Sequence, residues 1–278
     1  MNHIDSHQHF WKYEPSVYDW IDDSMQVLKK DFLPADLQPL LKENNFDGCV
    51  AVQALMQESE NDFLLKCAEK HEFVKGVVGW VDLLDEKVEG RLEVYSDKTY
   101  FKGIRHFIQS EAQGFMGRRD FRKGISLLDK FDLTFDLLLS QDQLGEAIDL
   151  VKQYPNQAFV LDHMGKPFFS GNVDREWKKN IQELGKMENV FCKVSGMVCE
   201  TENFKWKYED FNPYLDIVFE AFGSNRLMFG SDWPVCLLSC EYEKVFNILE
   251  RYLNSFSENE KQLVMGKNAA NFYKIELS

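Results

Sequence analysis

Short apolar segments alternate with stretches of helical periodicity along the whole chain. Apolar or β-branched runs that end in turn or polar residues are typical of buried parallel strands. Eight such segments occur in order: Asn2–His9, Gly48–Leu55, Gly76–Asp82, Phe101–Phe107, Leu133–Leu139, Gln157–His163, Val190–Gly196 and Arg226–Asp232. Each is predicted to form a β-strand.

The stretches between these segments carry apolar stripes with a helical period. Leu144, Ala147, Ile148 and Val151 follow the spacing i, i+3, i+4, i+7, and a similar stripe runs over three turns within 242–253. Such stripes indicate amphipathic helices with one face on the core. Parallel strands need helical crossovers, so eight strand–helix alternations predict an α/β fold, a single (β/α)₈ barrel of the TIM type.

The length and composition agree with one barrel domain over residues 1–278. A TIM-type barrel usually needs about 250 residues, and the 44% hydrophobic residues are sufficient for a large core. No linker or internal repeat divides the chain. The longest loops follow strands, which predicts that the chemistry lies at the C-terminal end of the barrel: Trp11–Pro34, Ile108–Gly117, Met164–Val173 and Met197–Asp210.

Charge and cysteine content narrow the partners and the compartment. A formal net charge of −14 repels phosphate backbones and anionic membranes, so we expect no nucleic-acid or membrane partner and a small-molecule substrate of low charge. The six cysteines lack zinc-ribbon spacing, and no apolar run or leader marks a membrane span or signal peptide. A cytoplasmic protein is expected, and a homo-oligomer stays open.

Histidines and one aspartate collect at the predicted strand ends. His7 and His9 are two residues apart, so both imidazoles project from the same face of the first strand. His163 ends the sixth strand and Asp232 the eighth, while His106 lies near the end of the fourth. Imidazoles gathered in this way can bind one divalent metal ion or polarise a carbonyl oxygen, and Asp232 is the candidate proton acceptor. We treat all five as catalytic candidates.

Seven motifs occur in this order along nearly the whole chain: IDSHQHFW, VAVQA, VVGWVDL, KGIRH, FVLDHMGKP, CKVSGMV and RLMFGSDWPVC. The chain resembles the amidohydrolase superfamily, and within it the lactonase branch that includes L-fuconolactone and L-rhamnonolactone hydrolases. The resemblance implies a (β/α)₈ barrel, hydrolysis of a cyclic ester, and a site built from His7, His9, His163 and Asp232, which would also be the metal ligands.

The chain departs from the superfamily pattern at the fifth strand. Members with two metals resemble each other in a His on this strand and a bridging Lys or Glu on the fourth, but here the fifth reads Thr134-Phe135-Asp136-Leu137-Leu138. The fourth offers Arg105 and His106. We therefore expect at most one Zn²⁺. Some relatives in this branch work without an essential metal, with imidazole and guanidinium donors on the carbonyl, so a dispensable metal stays open.

Several further side chains are candidates for substrate binding. On the seventh strand, Val190, Cys192 and Val194 suit the helix-facing side, which aims Lys193 into the barrel. A buried Lys needs a partner; we expect a substrate group, or an inward acid such as Asp5 or Asp136. The other candidates are strand-end donors and loop side chains: Gln53, Arg105, Trp11, Lys166 and Trp233.

These features predict a lactonase in which the histidine cluster polarises the carbonyl and Asp232 activates water. Amide hydrolysis or a metal-dependent decarboxylation on the same barrel stays open, because a fold does not fix its reaction. A non-catalytic carbohydrate-binding barrel is the alternative from another class. No P-loop and no GxGxxG motif occurs, so we expect no nucleotide cofactor.

Overall fold

The computed structural model describes residues 3–169 and 171–276. Asn2, the first residue of the first predicted strand, lies outside the described residues, as do Met1, Ser170, Leu277 and Ser278. All eight predicted strands are present: β1 Ile4–Gln8, β2 Gly48–Val52, β3 Val74–Gly79, β4 Phe101–Phe107, β5 Thr134–Leu138, β6 Phe159–Leu161, β7 Val190–Val194 and β8 Leu227–Phe229.

The strands pair in parallel, in chain order, from β1 to β8. Two backbone hydrogen bonds bring the ends of β8 and β1 together: Asp232 donates to the His7 carbonyl at 2.8 Å, and His9 donates to the Trp233 carbonyl at 2.7 Å. The sheet is therefore a nearly closed barrel, and the predicted TIM-type (β/α)₈ fold is confirmed.

Helices follow the strands and surround the sheet. They are α1 Pro34–Glu43, α2 Glu58–Lys70, α3 Val88–Ser96, α4 Arg119–Leu128, α5 Leu144–Gln153, α6 Arg175–Gly185, α7 Asn212–Phe222, α8 Tyr242–Tyr252, α9 Glu258–Gln262 and α10 Asn268–Phe272. The two predicted apolar stripes lie on α5 and α8, and both face the core. No helix within 3–169 or 171–276 is long and apolar enough to span a membrane.

Several strands end earlier than predicted. The sixth segment was expected to run to His163 and the eighth to Asp232, but β6 ends at Leu161 and β8 at Phe229. The backbone takes up left-handed conformations just beyond, with φ near 54° at His163 and 56° at Asp232. These residues leave the sheet because the chain turns there into the loops that form the site.

The barrel interior is apolar toward the N-terminal ends of the strands and polar toward their C-terminal ends. A lower layer packs against the segment that follows α9; its strand residues are Ile4, Val50, Val52, Val78, Val160 and Met228. Charged residues form a polar layer: Asp136 on β5, Asp162 just after β6 and Lys193 on β7, all three fully buried. The polar layer lies nearer the C-terminal ends of the strands, where the long loops begin.

Candidate active site

A bulge in β1 directs His7 into the barrel. The pairing of β1 with β2 shifts register between Asp5 and Gln8. Asp5 thus faces the helices, where its Oδ2 accepts a hydrogen bond from the Tyr242 hydroxyl at 3.1 Å. Its Oδ1 accepts from the backbone N–H of Ser231 at 2.9 Å and of His7 at 3.2 Å. Since a bulge re-aims the side chains around it, Asp5 holds the turn that points His7 inward.

His9 and Asp232 form the most direct pair in the site. His9 Nδ1 lies 2.8 Å from the carbonyl oxygen of Val52, which can only accept, so Nδ1 carries a proton. Its other nitrogen, Nε2, lies 3.2 Å from Asp232 Oδ1. Two acceptor atoms, the imidazole nitrogen and the carboxylate oxygen, therefore face each other, a geometry that a bound cation or a shared proton would stabilise. Burial opposes ionisation of Asp232, but His163, His9 and His7 outweigh it and hold the pKa of Asp232 below its ordinary value.

His163 stands on a strained turn. Four consecutive residues from His163 to Lys166 have φ between 51° and 69°, a region that costs non-glycine residues on the order of 1–3 kcal/mol each. The indole of Trp177 donates to the Met164 carbonyl at 2.9 Å and helps to hold the turn. Burial lowers the pKa of His163 to about 4, so the imidazole is neutral near pH 7.

Two glycines give the imidazoles their space. A Cβ on Gly230 would lie 2.6 Å from the His7 Cβ, and one on Gly196 would lie 2.6 Å from His163 Nδ1. The Ser195 hydroxyl is 2.8 Å from that same Nδ1. Gly230 therefore lies on the barrel side, and the close approach it permits is that of His7.

Arg105 connects the polar layer to the active-site residues at the C-terminal end of the barrel. Its Nη1 lies 3.1 Å from His7 Nε2 and donates to Asp162 Oδ2 at 3.2 Å. Its Nη2 donates to the side-chain oxygen of Gln53 at 3.2 Å and to the Gln53 carbonyl. Arg105 is 2% exposed and its guanidinium is fixed from three sides, so it is a pre-oriented cation.

Lys193 lies in the barrel beneath His7, as the alternation on β7 predicted. Its Nζ is 2.5 Å from Asp136 Oδ2, 3.0 Å from Asp162 Oδ1 and 3.1 Å from His7 Nδ1. Of the two acids considered as partners, Asp136 is the one in contact; Asp5 faces the helices. The Lys193 ammonium is enclosed by protein groups and does not reach the cavity above.

Burial and the neighbouring charges determine the charge states in the polar layer. Burial alone would raise the pKa of Asp162, but Lys193, His7 and Arg105 outweigh it and keep that pKa well below its ordinary value. Burial raises the pKa of Asp136 to about 6 against the opposing effect of Lys193. Burial also keeps the pKa of His7 well below its ordinary value, so His7 is neutral.

A cavity of about 330 Å³ lies above these groups at the C-terminal end of the barrel, a size that suits a small ligand. Five of the predicted residues line it: His9, Arg105, His163, Lys166 and Asp232. The remaining wall is mixed; its polar members include Gln109, Ser110 and Glu200, and its apolar members include Trp20, Met25, Phe107, Leu138, Val235 and Leu238.

Sequence and structure comparisons place this geometry in a family. A model of the amidohydrolase family matches residues 4–275. The chain belongs to the amidohydrolase family. This amidohydrolase is 36% identical to L-fucono-1,5-lactonase of Burkholderia multivorans and 31% identical to L-fucono-1,5-lactonase of Burkholderia ambifaria; each match covers 98% of this chain and 96% of the relative.

A solved structure agrees over the full length. The crystal structure of an amidohydrolase from Burkholderia multivorans with bound zinc is 35% identical, has a TM-score of 0.95, and covers 99% of this chain and 100% of that one. These likenesses confirm the resemblance to the lactonase branch and the prediction of an enzyme. They also support a divalent metal as a cofactor of such a site.

The donor set of this amidohydrolase fits one divalent cation. His7, His9 and Asp232 each offer a ligand atom, and these atoms lie within 4.8 Å of one another. His7, Asp162 and His163 form a second group by the same criterion. The predicted four ligands are thus divided between two groups that share His7.

Existing contacts distinguish the two groups. In the second, Asp162 already contacts the side chains of Lys193 and Arg105. In the first, His9 Nε2 faces the carboxylate of Asp232 with no protein cation between them, and the proton on His9 Nδ1 is held by a backbone carbonyl, as is usual for metal-binding imidazoles. The first group is therefore the better cation site.

Other predicted residues lie away from the cavity. His106 points to the outside of β4, where its Nε2 is 2.9 Å from Glu111 and its ring stacks on Phe115. The buried Trp11 donates to the Lys30 carbonyl and packs behind the wall formed by Trp20. The structure also places Trp233 and Gln53 in buried positions that do not line the cavity, and Gln53 acts on Arg105 instead.

Three residues with a clear structural role were not singled out from the sequence. The inward position of Asp162 could have been predicted from alternation, because Phe159 and Leu161 face the helices and leave Asp162 inward. Glu200 lines the cavity from an irregular loop, whose path follows no period. Glu60 is buried on α2, and its carboxylate accepts from the backbone N–H groups that follow β2; burial raises its pKa to about 8.

Proposed function

We propose that this amidohydrolase opens a sugar-acid lactone by hydrolysis of its cyclic ester. The observation that carries the proposal is a carboxylate, Asp232, in contact with His9 on the floor of a cavity that also holds His163 and the guanidinium of Arg105. A base beside neutral and cationic donors suits water attack on an ester carbonyl. The likeness to two L-fucono-1,5-lactonases supports the lactone as substrate.

In the first step, the oxygen of a water molecule bonds to the carbonyl carbon of the lactone while Asp232 takes a proton from that water. The carbonyl oxygen gains negative charge as the tetrahedral intermediate forms. Arg105 and the neutral His163 lie on the same floor and stabilise that charge. Because protein contacts hold both groups in place, little reorganisation is needed during the reaction.

In the second step, the oxyanion re-forms the carbonyl and the bond to the ring oxygen breaks. The protonated Asp232 returns its proton to that ring oxygen, which leaves as a hydroxyl group. The product is the open hydroxy acid, which ionises to a carboxylate and releases one proton. Asp232 is then again a carboxylate.

A divalent cation held by His7, His9 and Asp232 would polarise the carbonyl or lower the pKa of a bound water. The roles of Asp232, Arg105 and His163 in the steps above would be the same with such a cation bound. The cavity wall offers further contacts: Gln109, Lys166 and Glu200 for ring hydroxyls, and apolar side chains for the C–H faces of a sugar.

The proposed function is tested with a panel of compounds and a pH indicator, because lactone opening releases a proton. We expect turnover of a deoxy-sugar or sugar lactone well above its spontaneous opening, with the open acid identified by NMR. The panel should include L-fuconolactone, L-rhamnonolactone, an amide and a hydroxybenzoic acid. Each assay is run on metal-analysed protein, with chelator and after return of zinc.

The panel separates the remaining alternatives. Release of ammonia or an amine, or of carbon dioxide, without lactone opening would replace the proposal with another reaction on the same barrel. Saturable binding of sugar lactones without turnover, in both zinc-loaded and chelated protein, would identify a carbohydrate-binding protein. Activity lost with chelator and regained with zinc would show that the metal is required.

Lys166 is expected to affect substrate binding more than chemistry. Its Nζ lies 2.9 Å from Glu200 Oε1 and 3.0 Å from Gln109 Oε1, at the cavity wall. The Lys166→Met change removes a charged donor, so we expect KM to rise about tenfold, as loss of a charged hydrogen bond implies. kcat should stay within about twofold.

Steady-state kinetics of the preferred lactone measure this effect. Lys186→Met is the matched control, because Lys186 pairs with Glu183 on the exposed end of α6, away from the cavity. An equal KM for Lys166→Met and the control would show that Lys166 does not bind the substrate.

A further inference from the structure

The C-terminal part of the chain reaches the polar layer of the barrel from below. Tyr273, just after α10, packs with the lower apolar layer and is 1% exposed. Its hydroxyl donates to Asp136 Oδ2 at 2.9 Å. Its ring lies under the ammonium of Lys193, with 5.5 Å between Nζ and the ring centroid. This residue therefore contacts both members of the buried ion pair.

A short series of contacts continues from Tyr273 to the site. Asp136 Oδ2 lies 2.5 Å from Lys193 Nζ, and Nζ lies 3.1 Å from His7 Nδ1. On its other side, His7 Nε2 is 3.1 Å from Arg105, which lines the cavity. All these side chains are buried.

The carboxylate of Asp136 is held at only one of its oxygens. Both donors, Tyr273 and Lys193, bind Oδ2, whereas Oδ1 has no hydrogen-bond partner among the described residues. The Tyr273 hydroxyl and the ammonium together fix the direction of this carboxylate. Without the hydroxyl, Asp136 has a single remaining donor and can rotate, and Lys193 can shift with it.

We propose that Tyr273 is a positioning residue for the reaction, a role that rests on the proposed lactone hydrolysis. Through Asp136 and Lys193 it fixes the ring of His7, and His7 in turn fixes the guanidinium of Arg105 at the cavity floor. Tyr273 does not touch the substrate. The C-terminal segment thus belongs to the support of the active site as well as to the closure of the barrel.

The variant Tyr273→Phe tests this role, because it keeps the ring and removes only the hydroxyl. Loss of an outer hydrogen-bond partner of a catalytic group commonly lowers activity 10- to 100-fold. Since the Tyr273 hydroxyl acts on His7 through two side chains, Asp136 and Lys193, we expect the low end of this range: kcat should fall about tenfold while KM changes less than about twofold. Both are measured well below the melting temperature of the variant.

Tyr252→Phe is the control. The Tyr252 hydroxyl also donates to a carboxylate, Asp216 Oδ1, at 2.8 Å. The two residues lie on α8 and α7, and neither lines the cavity. We expect Tyr252→Phe to leave kcat within about twofold.

A second readout does not depend on activity. The ring ¹⁵N resonances of His7, assigned with a His7→Gln variant, should shift in Tyr273→Phe and stay in place in Tyr252→Phe. A lower melting temperature with unchanged kcat and unchanged His7 resonances would overturn the proposal and leave Tyr273 a structural role. If the unmodified protein opens no lactone, the proposed function fails, and the His7 resonances still decide whether Tyr273 positions that ring.

Discussion

Asp232→Asn is expected to lower kcat for lactone opening about a thousandfold. An amide cannot take a proton from water, and general-base catalysis contributes on the order of 10²–10⁴ in rate. Asp232 is the one carboxylate among the cavity-lining residues that contacts a site imidazole directly, at 3.2 Å from His9. Its pKa below the ordinary value keeps it ionised, and so able to accept a proton, throughout the neutral range.

The substitution is chosen so that folding is preserved. Residue 232 has a φ of 56°, and Asn tolerates this left-handed region as well as Asp does. The backbone N–H of this residue still donates to the His7 carbonyl. Melting curves and circular dichroism should match the unmodified protein. Turnover within about threefold of the unmodified protein would show that another group is the base.

The inward-facing residues of β7 and β8 were predictable from sequence. Cys192 and Val194 are apolar and face the helices, and this leaves Lys193 inward. The same alternation on β8 places Leu227 and Phe229 outside and Gly230 beside His7. Alternation predicts the inward residues here because each strand is regular up to the residues concerned. The apolar side chains identify the face on the helices, so the residues between them face the barrel interior.

Departures from a regular strand could not be predicted in this way. The bulge in β1 puts Asp5 outside the barrel while His7 and His9 remain inside, although all three share one parity in the sequence. On β4, alternation allows only one of Arg105 and His106 to face inward, and both were candidates from sequence; the register with β5 puts Arg105 inside, level with Asp136. Bulges and register depend on neighbouring strands, which a single segment does not encode.

The role of Tyr273 could not be predicted from the sequence either. It lies more than 130 residues along the chain from Asp136, its hydrogen-bond partner. Its apolar neighbours Phe272 and Ile275 are typical of any helix end that packs on a core. Only the closure of the barrel brings this residue beneath the polar layer, so no local pattern marks it.

Lys193→Met is expected to produce the largest loss of stability. The change leaves the carboxylates of Asp136 and Asp162 without their shared ammonium in a fully buried layer. Breaking a buried ion pair by removal of one partner costs about 3–5 kcal/mol. For a protein of this size, we expect the melting temperature to fall by on the order of 10 °C, and differential scanning calorimetry measures the shift.

Two comparisons decide whether the loss comes from the buried charges. Adding Asp136→Asn to Lys193→Met removes one of the unpaired carboxylates, so the double variant should melt above the single one. Lys130→Met is the matched control, because Lys130 also lies 2.5 Å from a carboxylate, that of Glu89, but on the exposed surface; its melting temperature should match that of the unmodified protein. If the effects of Lys193→Met and Asp136→Asn simply add, the two residues are not energetically coupled and the buried pair does not stabilise the barrel.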